Sequence, residues 1–205
     1  MRPVDVSAQR HILYVKLSRL GTILKKNLPN ILTSSRIVVI PVVIGSFFLE
    51  GPIGNWIGFT VFTLAGITDY FDGLAARSLD ATTRLGSFMD PIADKLMVAS
   101  TILMLAAFDV ISGIHILAAV VILAREILVS GLREFLSEAE VSVPVTTLAK
   151  WKTAFQMIAL GALLIGDASP QWFPAMDIGL GLLWLAAVLT LYTGFDYLKA
   201  GIKHI

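Results

Sequence analysis

Long apolar stretches alternate with short polar breaks along most of the chain. A membrane-spanning helix requires about 20 mostly apolar residues, and Gly, Pro, Asn and Ser are concentrated in the breaks, as is typical of turns. The pattern predicts six transmembrane helices, over Ile31–Leu49, Trp56–Ala76, Leu85–Phe108, Ile111–Leu132, Leu148–Ile165 and Ala175–Leu198. The fold class that follows is an all-α polytopic membrane protein.

The first 30 residues follow a different pattern, in which apolar and basic residues are mixed. No acidic residue occurs between Asp5 and the first predicted span. Such a segment favours a basic amphipathic helix lying on the inner leaflet, with a partly ordered tail as the alternative. We therefore expect an interfacial leader helix within residues 1–30 and a six-helix membrane catalytic domain over residues 31–205.

Composition supports the membrane assignment. Hydrophobic residues make up 56% of the 205 residues and charged residues 15%, against about 45–50% and about 25% in soluble domains. Disorder is excluded, because it requires low hydrophobicity and high net charge. The chain has no cysteine, which excludes disulfides, thiolate metal sites and a cysteine nucleophile.

The distribution of charge predicts the orientation of the chain, although its net value is only +1. With the N-terminus in the cytoplasm, the opposite loops carry Glu50, Asp109 and Asp167 but no lysine or arginine. The cytoplasmic side then receives most of the basic residues, as the positive-inside rule requires. This asymmetry also supports an even number of spans.

Charged residues within predicted spans are costly and usually functional, and here they follow helical spacing. The polar or small residues of the second span recur at i, i+3, i+4, i+7 and i+8 and share one helix face: Asp69, Asp72, Gly73, Ala76 and Arg77. Those around the start of the third span are spaced by three, four and four residues: Thr83, Gly86, Asp90 and Asp94. Consecutive helices joined by a short connection pack side by side, so the two faces can meet near the cytoplasmic surface.

Four carboxylates at one place in a poorly polar environment require cations, and Arg77 alone is insufficient. Hard divalent ions such as Mg²⁺ or Mn²⁺ suit oxygen ligands that also receive a substrate phosphate. Two such ions, about 3.5–4 Å apart, are a known solution for in-line displacement at phosphorus. The simpler alternatives are an Asp–Arg pair that fixes helix packing, or aspartates that are merely helix-end charges.

The combined motif has eight defined positions: Asp69-x-x-Asp72-Gly73-x-x-Ala76-Arg77, then Gly86-x-x-x-Asp90-x-x-x-Asp94. At every one of them it resembles the signature of the CDP-alcohol phosphotransferase family. The resemblance implies that Asp69, Asp72 and Asp90 bind two divalent metals. It also implies that Asp94 is the general base and a possible further metal ligand.

The same resemblance implies a pocket for the CDP group of the donor. Its expected lining is Asn30, Thr33, Asp69, Gly73, Ala76, Arg77, Thr83 and Gly86. Three further stretches resemble those of bacterial phosphatidylglycerophosphate synthases and bear on the identity of the acceptor alcohol. These matches are less specific than the aspartate motif. They are the stretch Asn27-Leu28-Pro29-Asn30-x-x-Thr33-x-x-Arg36, Arg125-Glu126-Ile127-x-x-Ser130-x-x-Arg133-Glu134, and Lys150-x-Lys152-Thr153 followed by Gln156.

An acceptor that carries a phosphate requires its own cations. The candidates are Arg125, Arg133, Lys152, Arg36 and Lys150. Arg125 and Arg133 are eight residues apart and share a helix face, whereas Arg125 and Glu126 are adjacent and are expected on different faces. The alternative for each cation is a positive-inside anchor or a partner for Glu126 or Glu134.

The resemblance implies a transferase, which would take CDP-diacylglycerol and sn-glycerol 3-phosphate and release CMP and phosphatidylglycerophosphate. It would act as a homodimer in the bacterial inner membrane, with its site facing the cytoplasm and no nucleic-acid partner. Other acceptors of the same family remain open, namely inositol phosphate, serine and phosphatidylglycerol. A cation transporter that uses the aspartates as an ion path is the alternative from a different class.

Overall fold

The structure is a computed structural model that describes residues 37–79, 84–138 and 147–202. These residues form helices joined by short loops, and none of them lies in a β-strand. The helices are α1 (Ile37–Ser46), α2 (Pro52–Leu79), α3 (Arg84–Ala107), α4 (His115–Glu138), α5 (Thr147–Ile165) and α6 (Ala175–Ile202). The all-α prediction is confirmed for this part of the chain.

Within the described residues, three helices are long and apolar enough to cross a membrane. Their apolar spans are His115–Leu136, Thr147–Ala168 and Ala175–Lys199. The described part of α1 is a shorter apolar helix. This fits an integral membrane protein, while the full set of six spans stays a prediction. The leader helix expected within residues 1–30 lies outside the described residues, as do Asn30, Thr33, Arg36 and Thr83.

The bounds of α4 differ from the predicted span at both ends. The helix begins at His115 rather than Ile111, because Asp109 and Gly113 adopt positive φ angles of 59° and 55° in the preceding turn. Ile111 instead lies in this turn, fully buried, and its N–H donates to the Leu105 carbonyl at 3.0 Å. At the other end α4 continues to Glu138, six residues past Leu132. Hydropathy detects the apolar stretch, whereas the helix itself continues through polar residues.

Helix α5 lies at the centre of the packing and contacts α2, α3 and α6. Nine of its residues are buried, from Lys152 to Ile165. Close approach of α6 depends on Gly179, since a Cβ there would lie 2.7 Å from Leu163 Cγ. Helix α4 packs against α6 on the other side, so α4, α5 and α6 form one continuous group.

The C-terminal end of α5 is fastened to the N-terminal turn of α2. Asn55 Nδ2 donates to the carbonyls of both Leu164 and Ile165, each at 3.1 Å. These carbonyls belong to the last helical turn, which has no intrahelical donors of its own. Gly166 then adopts a φ of 49° and the chain leaves α5 through a single 3₁₀ turn, Gly166–Ala168.

Candidate functional site

The two halves of the aspartate motif lie on two successive helices. Asp69 is in α2 and Asp94 is in α3, and both residues are partly buried. The remaining positions of the motif follow on the same two helices: Asp72, Gly73, Ala76 and Arg77 in α2, and Gly86 and Asp90 in α3. Because the backbone is helical through both segments, the three- and four-residue spacings keep each half on one face.

The donor chemistry of this motif fits a divalent metal. Carboxylate oxygens are the hard ligands that Mg²⁺ and Mn²⁺ prefer. The two aspartates whose side chains are described are neither fully buried nor fully exposed, so they are shielded from bulk water yet open to a ligand. Pro91, between Asp90 and Asp94, lacks an N–H and so releases one carbonyl of the preceding turn from its usual helical partner.

A second group of candidate side chains lies where α4, α5 and α6 meet. We call Arg125, Arg133, Lys152 and the carboxylate of Glu126 the cation cluster. Lys152 is only 3% exposed, and its ammonium group forms a salt bridge with Glu126 Oε1. Arg125 Nη1 lies 3.5 Å from the same oxygen. One carboxylate therefore contacts both a guanidinium from its own helix and an ammonium from α5.

Helix α6 fixes both arginines of the cluster. Thr193 Oγ1 accepts a hydrogen bond from Arg125 Nη2 at 3.3 Å, and Tyr197 Oη accepts one from Arg133 Nη2 at 3.1 Å. The Tyr197 ring lies under both guanidinium groups, 6.0 Å from Arg125 Cζ and 5.5 Å from Arg133 Cζ, within cation–π range. Gly194 leaves room for the arginine stem, because a Cβ there would lie 3.1 Å from Arg125 Cγ.

The cluster has an excess of positive charge and of hydrogen-bond donors. The cluster contains three cations and one carboxylate, which leaves a formal charge of +2, and only Arg125 and Lys152 contact that carboxylate directly. Arg125 Nε is buried and has no hydrogen-bond partner within the described residues. Buried charges are normally paired, so this arrangement is suited to an anionic ligand with several oxygens, such as a phosphate group.

The structure brings three of the five predicted phosphate-binding cations together and separates a fourth. Lys150 is exposed and lies about 200° around α5 from Lys152. Arg36 lies outside the described residues. Arg125 and Glu126 are adjacent and start from different faces of α4, yet their long side chains converge, with Arg125 Nη1 3.5 Å from Glu126 Oε1.

Sequence reasoning missed the contribution of α6. Thr190, Thr193 and Tyr197 are spaced by three and four residues and are all buried, so they form a polar stripe along an otherwise apolar helix. This polar stripe is the sequence signal that could have predicted a role for α6 in the site. Its contact with α4 depends on helix packing, which periodicity within one helix does not report.

Comparison with known proteins gives the family. The profile of the CDP-alcohol phosphatidyltransferase family matches residues 26–192. A protein of Rickettsia bellii is 48% identical over 179 residues, covering 87% of this chain and 97% of the relative. Proteins of Pectobacterium atrosepticum and Cereibacter sphaeroides are 40% and 34% identical over 179 and 214 residues. They cover 85% and 87% of this chain, and 94% and 97% of their own length.

All three relatives carry the name CDP-diacylglycerol–glycerol-3-phosphate 3-phosphatidyltransferase. The family profile spans both halves of the aspartate motif and all four residues of the cation cluster, whereas Thr193 and Tyr197 of α6 lie beyond it. The agreement therefore covers most of the helical framework and most of the residues described above. The chain belongs to the CDP-alcohol phosphatidyltransferase family.

Proposed function

We propose that the protein transfers the phosphatidyl group of CDP-diacylglycerol to sn-glycerol 3-phosphate, giving phosphatidylglycerophosphate and CMP. Family membership and the names of the relatives support the donor and the reaction. The observation that carries the choice of acceptor is the cation cluster, in which Lys152 is buried and Arg133 is exposed. Its formal charge of +2 matches a phosphate monoester of nearly two negative charges. Serine and other acceptors without a phosphate would leave this charge uncompensated.

In this proposal Asp94 accepts the proton of the glycerol 1-hydroxyl as its oxygen attacks the β-phosphorus of the donor. A new P–O bond forms to glycerol while the bond to the CMP oxygen breaks, and CMP leaves as the anion. Thr193 and Tyr197 hold Arg125 and Arg133 in place for the acceptor phosphate. Positioning of the two substrates is a major part of the catalysis in such transfers.

A divalent metal pair, Mg²⁺ or Mn²⁺, is part of the proposal. Its ligands would be Asp69, Asp72, Asp90 and Asp94, and it would supply neutralisation of the diphosphate charge. The CDP group would be bound by the small and polar positions of the motif and by the segment before α1: Asn30, Thr33, Asp69, Gly73, Ala76, Arg77, Thr83 and Gly86. Small residues there let a bulky nucleotide approach the helix backbone.

We further propose the arrangement of the protein in the membrane. The chain would cross a bacterial inner membrane six times, with residues 1–30 forming a leader helix on the cytoplasmic surface and residues 31–205 forming the catalytic domain. The apolar spans of α4, α5 and α6 support the membrane location. The absence of Lys and Arg from the predicted outer loops supports a cytoplasmic site. A homodimer is proposed by family resemblance alone.

Release of CMP from CDP-diacylglycerol tests this function directly. Purified protein in detergent with Mg²⁺ is supplied in turn with sn-glycerol 3-phosphate, inositol phosphate, serine or phosphatidylglycerol. We expect release with glycerol 3-phosphate only, and its loss when a chelator removes the metal. Release with serine would contradict the role of the cation cluster. Metal flux in vesicles without CMP release would instead support a transporter.

Replacing Arg133 by Ala should raise the KM for glycerol 3-phosphate about tenfold, because a charge-assisted contact to the phosphate is lost. The KM for CDP-diacylglycerol should stay close to that of the wild type. Lys199→Ala is the matched control, since Lys199 is an exposed cation in the last turn of α6. Equal rises in both KM values would exclude an acceptor-specific role for Arg133.

A further inference from the structure

Gln156 has a buried hydrogen-bond acceptor that has no role in the proposed transfer reaction. The residue is 3% exposed, and its Oε1 is buried without a hydrogen-bond partner among the described residues. A buried acceptor without a donor costs free energy, because it has lost its water without replacement. A ligand that donates a hydrogen bond to Oε1 would remove this cost.

Gln156 lies on the same face of α5 as Lys152 of the cation cluster. It follows Lys152 by four residues, so the two side chains share one face of α5, one turn or about 6 Å apart along the axis. Lys152 on this face reaches Glu126 of α4. Both residues are buried to the same extent, and the face they share packs into the junction of α4, α5 and α6.

Three buried side-chain atoms of the described residues have no hydrogen-bond partner: Arg125 Nε, Gln156 Oε1 and Thr190 Oγ1. The Thr190 hydroxyl can donate or accept, whereas the groups of Arg125 and Gln156 have fixed and complementary roles. Arg125 Nε is a donor and Gln156 Oε1 is an acceptor. Phosphate oxygens satisfy the donors of Arg125, Arg133 and Lys152, but a phosphate dianion has no proton to give to Gln156. The ligand that satisfies both groups therefore carries an anionic oxygen and, close to it, a hydroxyl group.

We infer that Gln156 is a specificity-determining residue whose Oε1 accepts a hydrogen bond from the non-reacting hydroxyl of a phosphorylated polyol. This rests on the proposed function, in which sn-glycerol 3-phosphate is the acceptor. Its 1-hydroxyl gives its proton to Asp94, so the hydroxyl left for Gln156 is the 2-hydroxyl. The cation cluster binds the phosphate, and Gln156 distinguishes acceptors by the hydroxyl next to it.

The test compares sn-glycerol 3-phosphate with 3-hydroxypropyl phosphate, which lacks only the 2-hydroxyl. The wild type should favour glycerol 3-phosphate in kcat/KM for CMP release by about tenfold or more, because the analogue leaves Oε1 without a donor. In Gln156→Leu the ratio should fall to about one. Gln156→Met, which matches the length of the side chain and also lacks the acceptor, should give the same ratio.

Gln156→Glu serves as the conservative control, because it keeps an acceptor oxygen at nearly the same size. We expect it to retain the preference for glycerol 3-phosphate, while its negative charge raises the KM of both phosphorylated acceptors by a similar factor. A purely structural role for Gln156 would lower activity towards both substrates and leave their ratio unchanged in every variant.

Two results would overturn the inference. The first is a wild-type enzyme that uses the two acceptors equally well. The second is a Gln156→Leu or Gln156→Met variant that keeps the wild-type ratio of kcat/KM for the two acceptors. That result would indicate that an ordered water, and not the substrate, donates a hydrogen bond to Oε1. Absence of CMP release with glycerol 3-phosphate in the wild type is a different failure, and it would contradict the proposed function itself.

Discussion

Asp94→Asn should lower the rate of CMP release by a factor of about 10² to 10⁴, the range attributed to a lost general base. The amide has the size of the carboxylate but cannot accept the proton of the attacking hydroxyl. Because Asp94 lies in α3 and is only partly buried, the substitution should leave the fold and the binding of the CDP-lipid intact. The measurement is kcat for CMP release, with binding of CDP-diacylglycerol followed separately.

Asp177→Asn is the matched control for this experiment. Asp177 is an exposed aspartate in the first turn of α6, far along the chain from the motif, and its substitution should leave kcat unchanged. The Mg²⁺ dependence of the residual activity separates two roles of Asp94. An unchanged half-saturating Mg²⁺ concentration fits a base, whereas a large rise fits a metal ligand. Full activity of Asp94→Asn would remove it from the mechanism.

Lys152→Met should combine a large loss of acceptor binding with a large loss of stability. Lys152 is almost fully buried and paired with Glu126, so its removal leaves a carboxylate with only the longer contact to Arg125. Breaking a buried pair in this way costs about 3–5 kcal/mol in the free energy of unfolding. The KM for glycerol 3-phosphate should rise about a hundredfold, since a buried charge contact is worth about 2–5 kcal/mol.

A double variant, Lys152→Met with Glu126→Gln, separates these two effects. Removing the stranded carboxylate should restore most of the thermal stability in detergent, while the KM for glycerol 3-phosphate stays high. Recovery of both quantities would mean that Lys152 serves only to neutralise Glu126. In that case the acceptor phosphate would have to be bound by Arg125 and Arg133 without it.

The sequence predicts the helices well where an apolar stretch ends at a turn residue. The α6 start at Ala175 agrees with the prediction, and α5 starts one residue before it. The largest differences concern α4, because Asp109 and Gly113 shape a turn within an apolar region and the polar residues after Leu132 stay helical. Hydropathy reports how readily a segment enters an apolar phase. It does not report where the backbone hydrogen bonds of the helix end.

The cation cluster was predicted in part for a similar reason. The eight-residue spacing of Arg125 and Arg133 places both on one face of α4, and they do both lie beside Tyr197. Nothing in that spacing reveals which residues of α6 support them. The two ends of a long side chain can also face different neighbours, which is how Arg125 contacts Glu126 despite adjacency. Periodicity describes Cβ directions, whereas binding depends on where the charged ends meet.

The hydrogen bonds from Asn55 to the end of α5 fix the N-terminal end of α2, so any tilt of α2 about Asn55 displaces the residues further along the helix. About 14 residues of helix, or about 21 Å, separate Asn55 from Asp69. With α2 held at this end by two hydrogen bonds to Leu164 and Ile165, a tilt of about 5° about Asn55 moves Asp69 by about 2 Å. Displacements of about 1 Å can cost a factor of about 10² in rate. In the proposed mechanism, the alignment of Asp69 therefore depends on the Asn55 amide near the start of α2, about 21 Å away.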